Sequence, residues 1–426
     1  MIGATGLIGA AVVARLVADA HQVRAVARRT ERARRSVPGA EWRALDMARM
    51  SDAADWRPHL AGIDAVVNCA GVLQDSPQDS TRGVHVAGAG ALFAACEAAS
   101  VQRVVQISAI GLDRATPTAF SQTKRAGEAA LTGRAFDWVI LRPSVVLGPA
   151  AYGGSALVRG LAALPLLPLV PDTGQLQVIQ LHDVVATILF FLSPAAPARM
   201  TLDLAGPEAL DFAQIVGEYR RWLGWGKART LPVPRPVAAA LYRLGDLAGR
   251  LGWRSPFRST ARHEIARGAI GDPGPWTEVT GIVPQSLAAA LAARPASVQE
   301  RWFAGLYALK PALFVGLPLF WVATGAISLG PGFRAGVGLM RETGAGRLSG
   351  AAVIAGAAAD IAVGLAIARR PTARRGLLAG IALSLFYVAA GSAVLPYLWR
   401  DPLGPLVKVL PIVLAHLAAL AILEDR

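Results

Sequence analysis

The residues with the most chemical content open the chain: Gly3-Ala4-Thr5-Gly6-Leu7-Ile8-Gly9, followed by an alanine-rich helical run. Glycines at this spacing permit a tight turn, let backbone N–H groups approach a pyrophosphate, and allow close helix–strand packing. The helix N-terminus adds the positive end of a dipole. Gly3, Thr5, Gly6, Leu7, Ile8 and Gly9 are therefore candidate phosphate contacts of a dinucleotide. The next strand ends in Arg28-Arg29. An acidic residue there would accept a ribose 2′-hydroxyl, whereas guanidinium groups suit a 2′-phosphate, so NADP(H) is favoured over NAD(H). The alternative is a solvated basic run that continues to Arg35.

Two further residues stand out in the second half. Asp360 lies near the middle of an apolar run, where a charge costs about 2.5–3.5 kcal/mol, so it should face protein and have a partner. Lys408 is the expected partner. The alternatives are a protonated Asp360, or a Lys408 that snorkels to the interface. Histidines His21, His59, His85, His182, His263 and His416 show no metal-ligand spacing, so no metal is expected. Cys69 and Cys96 are the only cysteines and read as small buried hydrophobes.

These residues need elements to hold them. Up to residue 204 short β-rich runs alternate with helical stretches, the βαβ pattern of a doubly wound parallel sheet of the α/β Rossmann class. Expected strands include 23–27, 65–68, 104–108 and 138–141, and expected helices 10–18, 88–99 and 121–131. Only Met1 and Ile2 precede the glycine turn, so the central first strand looks truncated, as a misassigned start would produce. Residues 205–300 are rich in Pro, Trp and Arg and read as a small α-rich lobe. Within it 237–251 is amphipathic: either a packed helix, which is the preferred reading, or a bilayer-surface helix anchored by Trp253 and Phe257.

From residue 301 to 426 the pattern changes again. Apolar runs at 304–329, 348–368, 376–398 and 403–423 each reach the roughly 20 residues that cross a hydrocarbon core, which predicts an all-α four-helix transmembrane bundle. The 369–375 turn carries Arg369, Arg370, Arg374 and Arg375 and is assigned to the cytoplasmic side. Arg334, Arg341 and Arg347 in the first inter-span turn pull the other way. The chain is thus expected to be a multi-pass protein of a bacterial inner membrane with its soluble part in the cytoplasm. Mean hydropathy of +0.43 is too high for a wholly soluble enzyme. The net charge of +14, nearly all of it arginine, flanks apolar runs and points to anionic lipid. With no recognition helix and no basic-aromatic stripe, nucleic acid is not an expected partner.

The first two-thirds of the chain resembles the extended and atypical branch of the short-chain dehydrogenase/reductase superfamily. The matching residues are the GATGLIG loop, Asp46, Asn68-Cys69-Ala70-Gly71, Ser108-Ala109, Lys124, Arg142-Pro143 leading to Gly148-Pro149, and His182-Asp183-Val184. The resemblance implies that Asp46 and Met47 flank an adenine, that Ala70 and Gly71 line the ribose and nicotinamide side, and that Lys124 binds the nicotinamide ribose. It places Arg142, Pro143 and Ser144 on the substrate side. The family's catalytic pair is Tyr-x-x-x-Lys with an upstream Ser. Here Ser108 and Lys124 fill their places, but Phe120 stands where the tyrosine would be. Losing that general acid costs roughly 10²–10⁴ in rate, which argues against conventional dehydrogenase activity; Ser121 and a water are the candidate substitutes. Residues 310–423 resemble the DoxX-like family, through Lys310-Pro311, Trp321, Asp360, Tyr387, Pro396, the run Trp399 to Leu406, and Lys408.

Three functions fit these resemblances. One is a membrane-anchored NAD(P)H-binding reductase acting on a lipophilic or quinone-like acceptor. Another is a catalytically silent NADPH-binding sensor or assembly factor with a membrane-protein client, like the reductase-like accessory subunit of respiratory complex I. An epimerase or dehydratase is the third, and Phe120 weakens it.

Overall fold

The computed structural model describes residues 1–424 and divides into two compact units. The first comprises Met1–Leu247 with Ser255–Gly305; the second comprises Ala248–Arg254 with Leu306 onward.

The first unit is built on parallel strands β1 (Arg24–Ala27), β2 (Glu41–Ala44), β3 (Ala65–Asn68), β4 (Arg103–Ile107), β5 (Asp137–Pro143) and β9 (Met200–Leu204). β2 pairs with β1, and the other four run in the order β3-β4-β5-β9. β4, with the sequence RVVQI, is buried along its whole length, as a central parallel strand covered on both faces must be. Its one charge, Arg103, is met by the carbonyls of Phe191, Ser193 and Ala196 and by Asp137. The place between β1 and β3 is taken by the first residues of the chain. Ile2 bridges Val26 and Asn68 in parallel register, with Ile2 N–H donating to Val67 and Cys69 N–H to Ile2. The expected central gap is thus filled by a very short ladder.

Helix Leu7–Ala18 follows the glycine turn, helix Ala119–Thr132 follows β4, and Leu181–Leu192 packs over the sheet with Val184, Ile188 and Phe191 buried. Helix Ala89–Ala98 is entered through a π-helical turn, Gly83–Gly88, which holds His85.

The expected division at residue 204 does not separate two bodies. β6 (Val145–Leu147), β8 (Leu176–Gln180) and β10 (Ala209–Leu210) form a small mixed sheet, and β7 (Leu166–Leu169) pairs with β11 (Arg229–Pro232). One apolar cluster joins Leu147, Val158 and Leu176 to Ile215, Tyr219 and Leu287. The lobe therefore draws half its core from upstream of 204, because residues 205–300 alone have too little apolar surface to close one.

The second unit holds helices Leu309–Leu329, Ser349–Ala368, Ala373–Val394 and Val409–Ala421. Among the described residues three apolar helical stretches, Val298–Leu329, Gly346–Ala368 and Ala373–Val394, are long enough to cross a membrane. The fourth expected span is shorter than read. Residues 403–408 form turns, and the helix that follows has 13 residues, about 20 Å at 1.5 Å per residue against a hydrocarbon core of about 30 Å. Leu319, Leu365, Phe386 and Leu414 point outward and are each about 60% exposed. Inside, Phe314, Trp321, Ile367 and Leu377 pack together, and Ser349, Asp360, Ser384 and His416 are buried polar residues of the same unit. Apolar outside with polar groups within is the pattern lipid demands.

Candidate functional site

The glycine turn is shaped by contacts that only glycine permits. Gly3 has φ +73°, and a Cβ on it would lie 2.7 Å from the Ala70 nitrogen. A Cβ on Gly9 would lie 2.2 Å from the Gly3 carbonyl oxygen. The turn is thereby pressed against the end of β3, and Gly6 caps helix Leu7–Ala18 without a side-chain acceptor. Its first-turn amides are left for a ligand, the arrangement that receives a phosphate. Leu7 and Ile8 are half-buried at this turn and Thr5 is exposed.

The other residues expected to contact a cofactor lie at the ends of β1, β2 and β3. Asp46 accepts from the Ala48 amide and caps the 3₁₀ turn Met47–Arg49, in which Met47 is buried. Ala70 N–H donates to Asn68 Oδ1, and Asn68 is itself held by Gln106. At the end of β1, Arg28 pairs with Asp79 at 2.6 Å, while Arg29 is exposed.

Lys124 is buried and donates from Nζ to the Ile107 carbonyl at 2.9 Å, one residue before Ser108. Burial lowers its pKa from 10.5 to about 8, with Cys69 and Glu128 acting in the opposite direction. A Cβ on Gly71 would sit 3.4 Å from Lys124 Nζ and 3.8 Å from His85 Nε2, so loop, lysine and histidine converge. Ser108 closes β4 with its hydroxyl buried and without a hydrogen-bond partner. A buried, unsatisfied hydroxyl is uncommon in a folded protein. Burial pushes the Cys69 thiol up to about 12, so it stays protonated and contributes packing.

Phe120 sits on helix Ala119–Thr132 with its ring 5.7 Å from that of His85 in an edge-to-face contact. Ser121, one of the two candidate substitute donors, is already engaged: its hydroxyl and the Thr118 hydroxyl form the helix's capping box. His85 is the residue that sequence reasoning missed. Spacing gave no signal for it, because its neighbours here come from the 71–72 loop and from Thr123.

The substrate-side residues are held within the protein fabric. Arg142 makes a bidentate pair with Glu128 at 2.9 and 2.6 Å, which raises the arginine's pKa further. Pro143 accepts from the Ile110 amide, and the Ser144 hydroxyl donates to the carbonyls of Ala269 and Gln177. His182 Nε2 and Asp183 Oδ1 pair at 3.0 Å.

In the membrane unit the expected Asp360–Lys408 pair is not formed. Asp360 Oδ1 accepts from the Tyr387 hydroxyl at 2.9 Å, while Lys408 is exposed at the N-cap of the last helix. Tyr387 reaches Asp360 from the neighbouring helix, whereas Lys408 can place its charge in the interfacial zone. His416 is packed: Nε2 accepts from Trp321 Nε1 at 2.9 Å, and Nδ1 donates to the Ile412 carbonyl.

The fold and the glycine turn define a nicotinamide-dinucleotide-binding domain of Rossmann type joined to a helical membrane region. Comparison with known proteins agrees. Residues 3–160 match the NAD(P)H-binding family model, and residues 318–417 match the DoxX-like family. A ceramide reductase of Caulobacter vibrioides is 24% identical over 238 residues, spanning 55% of this chain and 73% of that protein. Among solved structures, MoeE5 in complex with UDP-glucose and NAD aligns with TM-score 0.52 at 19% identity, over 68% of this chain and 95% of that one. The dTDP-glucose 4,6-dehydratase DesIV of Streptomyces venezuelae aligns with TM-score 0.53 at 18% identity, over 71% and 95%. These likenesses establish the Rossmann-type fold.

Proposed function

We propose that this chain is a membrane-held, NADPH-dependent reductase whose acceptor is the carbonyl of a long-chain lipid. The observation that carries the reading is the buried, unpartnered Ser108 hydroxyl, one residue beyond the carbonyl that holds Lys124. The acceptor class follows from the ceramide reductase relative and from apolar helices that keep the site near bilayer-resident molecules, raising their effective concentration. NADPH held at the turn Gly3–Gly9 would supply the hydride for the carbonyl carbon. Ser108 Oγ donates a hydrogen bond to the carbonyl oxygen. Lys124, protonated at neutral pH and close to its pKa, supplies the proton that turns that oxygen into a hydroxyl. Arg29 is assigned to the 2′-phosphate of NADPH. The arginine-rich turn Arg369–Arg375 is assigned to the cytoplasmic side, with the nucleotide-binding unit.

A second reading rests on Phe120: without the phenol the domain binds NADPH but does not turn it over, and serves as a sensor or an assembly factor for a membrane-protein client. The test is NADPH oxidation by the full chain in proteoliposomes containing a keto form of a ceramide-type lipid. Lipid-dependent oxidation, lost by roughly 10²-fold or more in Ser108→Ala, supports the reductase. Saturable NADPH binding with no oxidation for any lipid or quinone acceptor overturns it in favour of the second reading.

A further inference from the structure

Helix Arg235–Arg250 has two unlike faces. Ala238, Tyr242, Gly245 and Gly249 are buried, so one side is packed. On the other, Val237, Leu241, Leu244, Leu247 and Leu251 are exposed, Leu244 by 61%. At about 100° per residue these five positions fall within an arc of about 120°. Arg243 and Arg250 border that arc, and Asp246 faces away from it, held by Gln74 and Ser259.

The end of this stripe is fixed at a definite place. Leu251 accepts a backbone hydrogen bond from Arg370, and Trp253 Nε1 donates to the Ala368 carbonyl. Arg370 lies over the Trp253 ring at 5.6 Å. Ala368 is the last residue of the apolar helix Ser349–Ala368, and the arginine-rich turn follows it. A tryptophan and arginines at the end of a span mark the depth at which hydrocarbon gives way to headgroups. Leu251 and Trp253, which follow the helix and belong to the second unit, therefore lie at headgroup level.

We infer that the exposed stripe of helix Arg235–Arg250 is a membrane-surface docking face whose occupant is an anionic lipid leaflet. Its leucines enter the headgroup–acyl boundary, and Arg243 and Arg250 take the lipid phosphates, as in helices that lie in the bilayer plane. Phe257 takes no part as an anchor, since its ring packs on Tyr242. The inference is independent of whether the nucleotide site turns over.

The test uses the full chain in proteoliposomes of phosphatidylethanolamine and phosphatidylglycerol, with Leu244→Cys carrying an environment-sensitive fluorophore. Gln102→Cys, an exposed site elsewhere, is the reference, and labelled wild type sets the background from the native Cys69 and Cys96. Quenching by brominated lipid at the Leu244 position should exceed that at the reference by about threefold or more, and iodide quenching should fall by a similar factor. Equal iodide quenching at both positions overturns the inference, since the stripe then faces water. Shielding from both quenchers also overturns it, because a second copy or another protein then covers the face.

Discussion

His85 Nε2 accepts the Val72 N–H at 3.0 Å, which leaves the ring proton on Nδ1, 2.9 Å from Thr123 Oγ1. Thr123 in turn donates to the Ala119 carbonyl at 2.6 Å. The imidazole thus ties the loop after β3 to helix Ala119–Thr132, beneath Phe120 and beside Lys124.

That tie requires a neutral ring. Burial, with Lys124 adding to it, lowers the His85 pKa from 6.5 to about 2. The native state therefore binds fewer protons than the unfolded chain below pH 6.5. Stability from this group is complete above pH 6.5 and declines as pH falls, by at most about 1.4 kcal/mol per pH unit. Denaturation of wild type and His85→Gln should differ most near pH 7.5, and the difference should shrink towards pH 5. A pH-independent difference would show that the ring's charge state is irrelevant to the fold.

Lys124 gives the reaction a pH dependence of its own. Its pKa, lowered to about 8, means the ammonium is present at pH 7 and lost above pH 8. If it supplies the proton, kcat/KM for lipid reduction should fall tenfold per pH unit above about pH 8. Ser108→Ala should lower the whole profile and keep that limb. Lys124→Arg, which stays charged throughout this range, should abolish it. A limb unmoved by Lys124→Arg would assign the titration to another group.

Much of this site was legible in the sequence, and the parts that were not share a cause. The strands at 65–68 and 103–107 and the glycine turn are local signals, set by β-branched runs and by positions that tolerate no Cβ. Ser108 and Lys124 lie within one strand–helix step, so their proximity follows from the βα unit. His85 meets its partners from residues 72 and 123, and the lobe's core joins segments on both sides of residue 204. Such contacts depend on register and packing between distant segments, which periodicity does not encode. Composition alone predicts a full last span because the apolar run continues through 403–408, while Pro402, Gly404 and Pro405 stop the helix there.

Arg29 tests the choice of cofactor. Arg28 is partly committed to Asp79, so the exposed Arg29 should carry most of any contact to a 2′-phosphate. A charge-assisted hydrogen bond is worth about 1.5–3 kcal/mol, so Arg29→Ala should weaken NADPH binding by roughly 10-fold or more. NADH binding, which lacks that phosphate, should be unchanged. Titration by nicotinamide fluorescence checks both, and equal losses for the two nucleotides would remove the basis for an NADPH preference.

Asp360 and Tyr387 test the membrane unit. The carboxyl is buried in the bundle, and the Tyr387 hydroxyl is its hydrogen-bond partner at 2.9 Å. Removing that hydroxyl leaves a buried acceptor unsatisfied, at a cost of about 1–3 kcal/mol. Tyr387→Phe should therefore destabilise the protein in detergent by that amount, and adding Asp360→Asn should cost little more, because the two positions share one interaction. Lys408→Met should change stability by less than about 0.5 kcal/mol, as a surface substitution does. The measurement is a double-mutant cycle by denaturant titration. Coupling between Asp360 and Lys408, with none between Asp360 and Tyr387, would restore the ion pair that the sequence alone favoured.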